Sequence, residues 1–168
     1  MNGTRRIIHT IDPVYNADSR VLILGTMPSP RSRLAAFYYG NRQNRFWTIL
    51  GAVFKENIGP STAAKKQFLL DRHIALWDVL SECDISGASD SSIRNPAAND
   101  FSAIFETAAI RAVLTTGRTA YNLYGRLCSA KYGAPFYYLP SPSPANCAMS
   151  LERITGMYKK LLLRFCAG

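Results

Sequence analysis

Four short apolar runs, each ending on a Gly, Pro or polar turn, constrain the fold most. They are residues 20–24 (RVLIL, then Gly25), 74–80 (IALWDVL), 110–115 (IRAVLT, then Thr116 and Gly117) and 136–139 (FYYL, then Pro140). Runs of that length that are apolar on both faces read as strands buried on both sides. Helical spacing fills the gaps. Residues 44–54 place Phe46, Ile49, Leu50 and Val53 on one face. Residues 61–72 follow a capping Ser61, FSAIFETA follows Asn99 or Asp100, and 118–128 and 150–165 are further amphipathic stretches. Strands alternating with helices predict an α/β fold, a three-layer α/β/α sandwich with a central, mainly four-stranded parallel sheet. We see no internal repeat or linker, so 1–168 reads as a single domain.

In such sheets ligands bind beyond the carboxyl ends of the strands. Those ends carry Gly25, Thr26, Met27, Pro28 and Ser29; then Trp77 and Asp78; then Thr116 and Gly117; then Pro140, Ser141, Pro142 and Ser143. The polar and Pro-rich residues gather where a site belongs. The Gly/Ser-rich stretch 86–92 reads as a loop with freedom to move.

Charge and cysteine usage narrow the chemistry. The 20 basic and 11 acidic residues leave a net charge of +9, which suits an anionic partner, nucleic acid first. Cys83, Cys128, Cys147 and Cys166 form no CxxC or CxxxC pair, and His9 and His73 stand alone, so neither a zinc nor an iron–sulfur site is expected. Metal and cofactor are therefore both read as none. No apolar run reaches the about 18–20 residues of a membrane span. Residues 1–10 lack an apolar run of signal-peptide length. The reading is a monomeric intracellular, cytoplasmic protein with no membrane partner.

Two segments carry the chemistry. Residues 25–47 open with a Gly-x-x-Pro-Ser turn, whose backbone N–H groups can hold developing negative charge. Tyr38 and Tyr39, then Asn41, Gln43 and Asn44, supply rings and amides for a flat heterocycle, with Tyr39 stacking on it. Arg31, Arg33, Arg42 and Arg45 are interleaved as phosphate contacts would be. Trp47 reads as helix core. Residues 139–146 (LPSPSPAN) form a loop stiffened by three prolines. Ser141, Pro142, Ser143 and Asn146 could grip a DNA backbone there, or form an ordinary rigid turn.

Together the segments resemble the uracil-DNA glycosylase superfamily. Residues 25–47 are similar, without a gap, to motif 1 of its mismatch-specific branch, Gly-x-Asn-Pro-Gly and later His-Pro-x-Asn-Arg-Phe-Trp. They resemble more closely the hypoxanthine-DNA glycosylase (DNA-deoxyinosine glycosylase) branch, whose Gly-Thr-x-Pro-Ser, Tyr-Tyr-Gly-x-x-Gln-Asn-Arg-Phe-Trp and Leu-Pro-Ser-x-Ser-Pro-Ala all have counterparts here. Met27 stands where the mismatch branch has its catalytic Asn, and Leu139 where motif 2 usually has His or Asn. The resemblance to the hypoxanthine branch moves the catalytic role to Asn44, which would orient a water. Ser143 replaces the usual Leu wedge.

The resemblance implies a monofunctional, metal-independent glycosylase acting on DNA that contains a deaminated base, hypoxanthine above uracil. A glycosylase for uracil or G·U/T mismatches on the same fold, and a non-catalytic DNA-binding module, are the alternatives; a nucleotide hydrolase is more remote. Gly25, Thr26, Met27, Pro28, Ser29, Tyr39, Trp77 and Asp78 would bind the base. Arg31, Arg42, Ser141, Pro142, Ser143 and Asn146 would bind DNA. Asp78 either accepts from a base N–H or braces the following turn. Asp90, in an Asp-Ser-Ser triplet shared with the hypoxanthine branch, is read as a cap.

Overall fold

The order of sheet strands follows from where the apolar runs lie. In a computed structural model, which describes residues 3–167, strands β2 (Val21–Gly25), β3 (Ile74–Asp78), β6 (Ala112–Thr116) and β7 (Phe136–Leu139) form a parallel sheet in the order β3-β2-β6-β7. Residues 1, 2 and 168 of the expected single domain lie outside the described residues. β2 is central and wholly buried, pairing Val21–Gly25 with Ile74–Asp78 on one side and Ala112 to Thr115 on the other.

Side chains alternate across a strand, so β2 feeds two cores. Val21 and Ile23 join Phe46, Ile49 and Leu50 of α2 (Phe46–Phe54), Leu69 of α3 (Thr62–Asp71), and Ile154, Tyr158 and Leu162 of α7 (Leu151–Cys166). Leu22 and Leu24 face the opposite cluster, with Ile104 of α4 (Ser102–Thr107) and Ala120, Leu123 and Tyr124 of α5 (Arg118–Leu127). The three-layer expectation thus matches the architecture. Caps set two helix starts: Ser61 Oγ accepts from Ala64 N–H and Ser150 Oγ from Arg153 N–H, while ahead of α4 the Asp100 carboxylate accepts from Ser102 N–H. No helix among the described residues is long and apolar enough to cross a membrane.

One correction concerns residues 74–80. They do not form a single strand: β3 ends at Asp78, and β4 (Leu80–Ile85) belongs to a second, antiparallel sheet in the order β1-β4-β5, with β1 (Arg5–Ile8) and β5 (Arg94–Ala98) on its flanks. The chain changes sheet at Val79, whose N–H donates to Gly25 O at 2.8 Å. The short helices α1 (Pro30–Ala35) and α6 (Ser129–Tyr132) complete the fold. The stretch 86–92 is the β4–β5 connection and leans over the carboxyl end of the parallel sheet. It is gathered by Ser92, whose Oγ accepts from Ser86 N–H (2.9 Å) and donates to Ser89 O (2.6 Å).

Candidate active site

Both sequence segments reach one cavity of about 690 Å³ at the carboxyl end of the parallel sheet. Gly25, Thr26, Met27, Pro28, Ser29, Tyr39, Asn44 and Asp78 line it from one segment and strand end, Ser141, Pro142, Ser143 and Asn146 from the other, and Asp90 from the β4–β5 connection. A volume of several hundred Å³ is typical of small-molecule sites and accommodates a purine.

The turn after β2 is held from one side. Val79 N–H donates to Gly25 O, and Leu80 N–H to Thr26 O at 3.1 Å. A trans peptide directs its N–H opposite to its C=O. The N–H of Thr26 therefore points away from Val79, and that of Met27 away from Leu80, each a fixed dipole. Gly25 is required by a close approach: a Cβ there would stand 2.5 Å from Asp78 Oδ1 and 3.2 Å from the Tyr39 hydroxyl. Ser29 caps α1, its Oγ accepting from Ser32 N–H at 3.2 Å. Ser32 Oγ then accepts from Gly40 N–H at 3.1 Å, tying α1 to the Tyr-Tyr-Gly turn.

Tyr39 adopts a left-handed φ of 53°, unusual for a bulky side chain. It is held by stacking on Phe46, with ring centroids 3.8 Å apart, and by a 3.1 Å bond to Thr116 Oγ1. The Thr116 hydroxyl donates to Leu24 O, so the Tyr39 hydroxyl is the donor between the two. Burial first, and the nearby Asp78 second, push the Tyr39 phenol well above its usual range and keep it protonated. One ring face is spent on Phe46, and the residue lines the cavity.

Asp78 is buried, and its Oδ2 lies 2.7 Å from His9 Nε2. His9 Nδ1 accepts from Ile11 N–H, which leaves the imidazole proton on Nε2 to be donated to Asp78. The carboxylate is thus fastened by a residue that sequence reasoning had treated as isolated.

Trp77 is a correction. It does not line the cavity: its Nε1–H donates to Ile11 O at 3.1 Å and its ring meets His9 edge-on. Adjacent side chains in a strand point to opposite faces, so Trp77 and Asp78 cannot both face the site. Trp77 and Tyr38, whose hydroxyl donates to Asp12 O at 2.7 Å, hold the segment that delivers His9.

Asn44 lines the cavity, but its Oδ1 also accepts from Phe46 N–H at 2.9 Å, in a turn just ahead of α2. One lone pair of Oδ1 and the Nδ2 donors remain for a ligand or water. Met27 is half-buried and Leu139 fully buried, leaving both positions apolar.

The arginines separate into two groups. Arg45 donates from Nη1 to Met149 O (2.6 Å) and from Nη2 to Asn146 O (2.9 Å), while Pro142 O accepts from Arg45 N–H. Arg33 donates to Pro28 O at 2.8 Å. For Arg45 the phosphate-contact expectation is replaced by an internal role, since its guanidinium fastens the second motif loop; Arg33 ties back to the first motif loop and also lines the cavity. Arg31 and Arg42 are exposed and lie outside the cavity lining. Within the second loop, Asn146 Nδ2 donates to Ser141 O, and Ser143 N–H to Ser141 Oγ.

The family model described as Uracil DNA glycosylase superfamily matches residues 13–164. The chain belongs to that superfamily. Among superfamily members, this chain is 34% identical over 142 residues to a hypoxanthine DNA glycosylase of Methanosarcina acetivorans, covering 83% of this chain and 89% of the relative. It is 32% identical over 108 residues to a protein of the same description from Methanosarcina barkeri, covering 63% of this chain and 68% of the relative. The solution NMR structure of a "putative Uracil DNA glycosylase" from Methanosarcina acetivorans superposes with a TM-score of 0.75 at 31% identity, covering 91% of this chain and 97% of that one. Superfamily membership agrees with the four-stranded parallel sheet flanked by helices.

Proposed function

We propose that this chain is a monofunctional DNA glycosylase that draws a deaminated base, hypoxanthine above others, into the cavity and hydrolyses its N-glycosidic bond. The observation that carries the reading is the convergence of the 25–29 turn, Tyr39, Asn44, Asp78 and the 141–146 loop on one cavity sized for a purine. The relatives described as hypoxanthine DNA glycosylases support the choice of base.

A stacked nucleobase is out of reach, so the nucleotide rotates out at a cost of a few kcal/mol, less for a mispaired base. In this reading Arg31, Arg42 and the Pro-stiffened 141–146 loop hold the strand, and Tyr39 stacks on the base. Asp78 Oδ1 accepts from the base N–H, while the His9 bond on Oδ2 spreads the carboxylate's charge. The N–H groups of Thr26 and Met27 face the base oxygen. As the bond to the sugar lengthens, the base gains negative charge and these donors bind it more strongly than in the ground state, which lowers the barrier. Asn44 positions the water. No lysine lines the cavity among the described residues, which favours hydrolysis over an imine-forming lyase step.

The test is base release from end-labelled oligonucleotides carrying hypoxanthine, uracil, xanthine or a mismatched thymine, single- and double-stranded, with alkaline cleavage of the abasic sites. Hypoxanthine release is expected to be fastest. Faster uracil release would transfer the reading to a uracil enzyme, and no release from any substrate would leave a DNA-binding module.

A further inference from the structure

Positioning a nucleophilic water needs acceptors for its protons, and the motif position that supplies one elsewhere is Met27 here. Asn44 offers a single spare lone pair, because Phe46 N–H occupies the other. A carboxylate nevertheless reaches the cavity, from outside both motifs. Asp90 lies in the short turn Asp90–Ser92, on the β4–β5 connection, and lines the cavity with Thr26 and Asp78. It does not cap that turn: Ser89 holds the cap position, and the Asp90 carboxyl is near enough to the Thr26 hydroxyl for that group to favour its ionised form.

We propose that Asp90 is a catalytic residue, the acceptor that takes the proton of the attacking water. The proposal rests on the glycosylase reading above and adds a residue from a different sheet. The bond from the anomeric carbon to the base nitrogen breaks, and its electron pair leaves on the base. The water oxygen bonds to the anomeric carbon, and one water proton passes to an Asp90 oxygen. The base anion takes up a proton from solvent on release, and Asp90 gives its proton back to solvent, which returns the overall change to hydrolysis. The ionised carboxylate also favours the positive charge that builds on the sugar.

The surroundings suit that work. Asp90 is exposed as a residue and lines the cavity. Desolvation there raises the Asp90 carboxyl above its ordinary range, the Thr26 hydroxyl opposes the shift, and Asp78 adds to it. A carboxylate raised in this way is a better base. The titratable and charged groups around it are Asp78 on β3, bonded to His9; the Tyr39 phenol; the Cys83 thiol on β4; and Arg33, which is turned to Pro28 O. The Ser86–Ser89–Ser92 bonds fix the turn, so the carboxylate is placed before substrate arrives.

The experiment measures hypoxanthine release from saturating enzyme under single-turnover conditions across acid to neutral pH, for the wild type, Asp90→Asn and Asp90→Glu. Binding to DNA carrying a stable abasic-site analogue is measured alongside. Wild-type release should fall as pH drops through the raised Asp90 value, because the protonated acid accepts no proton. Asp90→Asn should slow release by about 10²–10⁴-fold and abolish that acid limb. Analogue binding should be unchanged, and Asp90→Glu should restore part of the rate together with the limb. An Asp90→Asn rate equal to wild type, or a slowed rate that keeps the acid limb or comes with weakened analogue binding, overturns the proposal and leaves the glycosylase reading intact. Absence of release by the wild type overturns both.

Discussion

His9 and Asp78, 69 positions apart, meet at 2.7 Å with both side chains almost wholly buried. The bond joins the segment after β1 to the end of β3, and so links the antiparallel sheet to the cavity end of the parallel one. Removing the imidazole leaves a buried carboxylate short of a donor, a loss of about 1.5–3 kcal/mol for a charge-assisted bond. His9→Ala is therefore expected to lower unfolding stability by that amount in urea titrations and to slow base release. Asp78→Asn should slow release with a smaller stability loss, because an amide tolerates burial better than an unpaired charge.

Gly25 gives a sharper test of the same corner. A methyl group there would stand 2.5 Å from Asp78 Oδ1, so the carboxylate or the turn must shift. Gly25→Ala is expected to reduce single-turnover base release by about 100-fold or more, since displacements near 1 Å cost that much. Circular dichroism should still report a folded protein. Wild-type rates in that variant would show that Asp78 does not read the base.

The parallel sheet was legible because its strands are buried on both faces and so write unbroken apolar runs. The antiparallel sheet was not. β1 reads RRII and β5 reads RNPAA, short and polar, with a proline inside the second that argues against a strand. The change of sheet at Val79 was hidden because 74–80 is continuously apolar apart from Asp78. Within the site, the 25–29 turn, Tyr39, Asn44 and the 141–146 loop were found from their motifs. His9 was not, because nothing local marks a histidine whose partner is brought in by tertiary pairing. Arg45 misled for a related reason: charge suggests solvent or phosphate, yet a guanidinium can equally satisfy carbonyls of a loop.

Asn44 has two duties that substitution can separate. Its Oδ1 accepts from Phe46 N–H at the start of α2, and the residue lines the cavity. Asn44→Ala should lose about 0.5–1.5 kcal/mol of stability with that hydrogen bond. Asn44→Asp keeps the acceptor and should recover that stability in thermal melts. Both should slow base release if the amide's own polarity is needed. A normal rate in Asn44→Ala would remove it from the mechanism.

Salt dependence distinguishes the two kinds of arginine. Arg31 and Arg42 are exposed, and each neutralised phosphate contributes roughly one unit to the slope of log affinity against log salt. Arg31→Ala and Arg42→Ala are each expected to lower that slope by about one and to leave the melting temperature unchanged. Arg45→Ala should behave oppositely. It strips the donors from Asn146 O and Met149 O, so it should destabilise the protein by about 2 kcal/mol or more and loosen the 141–146 loop. DNA binding should weaken through the disordered loop, with the salt slope preserved. Arg45→Lys should rescue little, because one ammonium cannot reproduce the planar two-nitrogen fork that spans both carbonyls. Titrations of a fluorescent duplex at several salt concentrations, set beside melts of the same variants, would decide it. A reduced slope in Arg45→Ala would return that residue to the phosphate contacts.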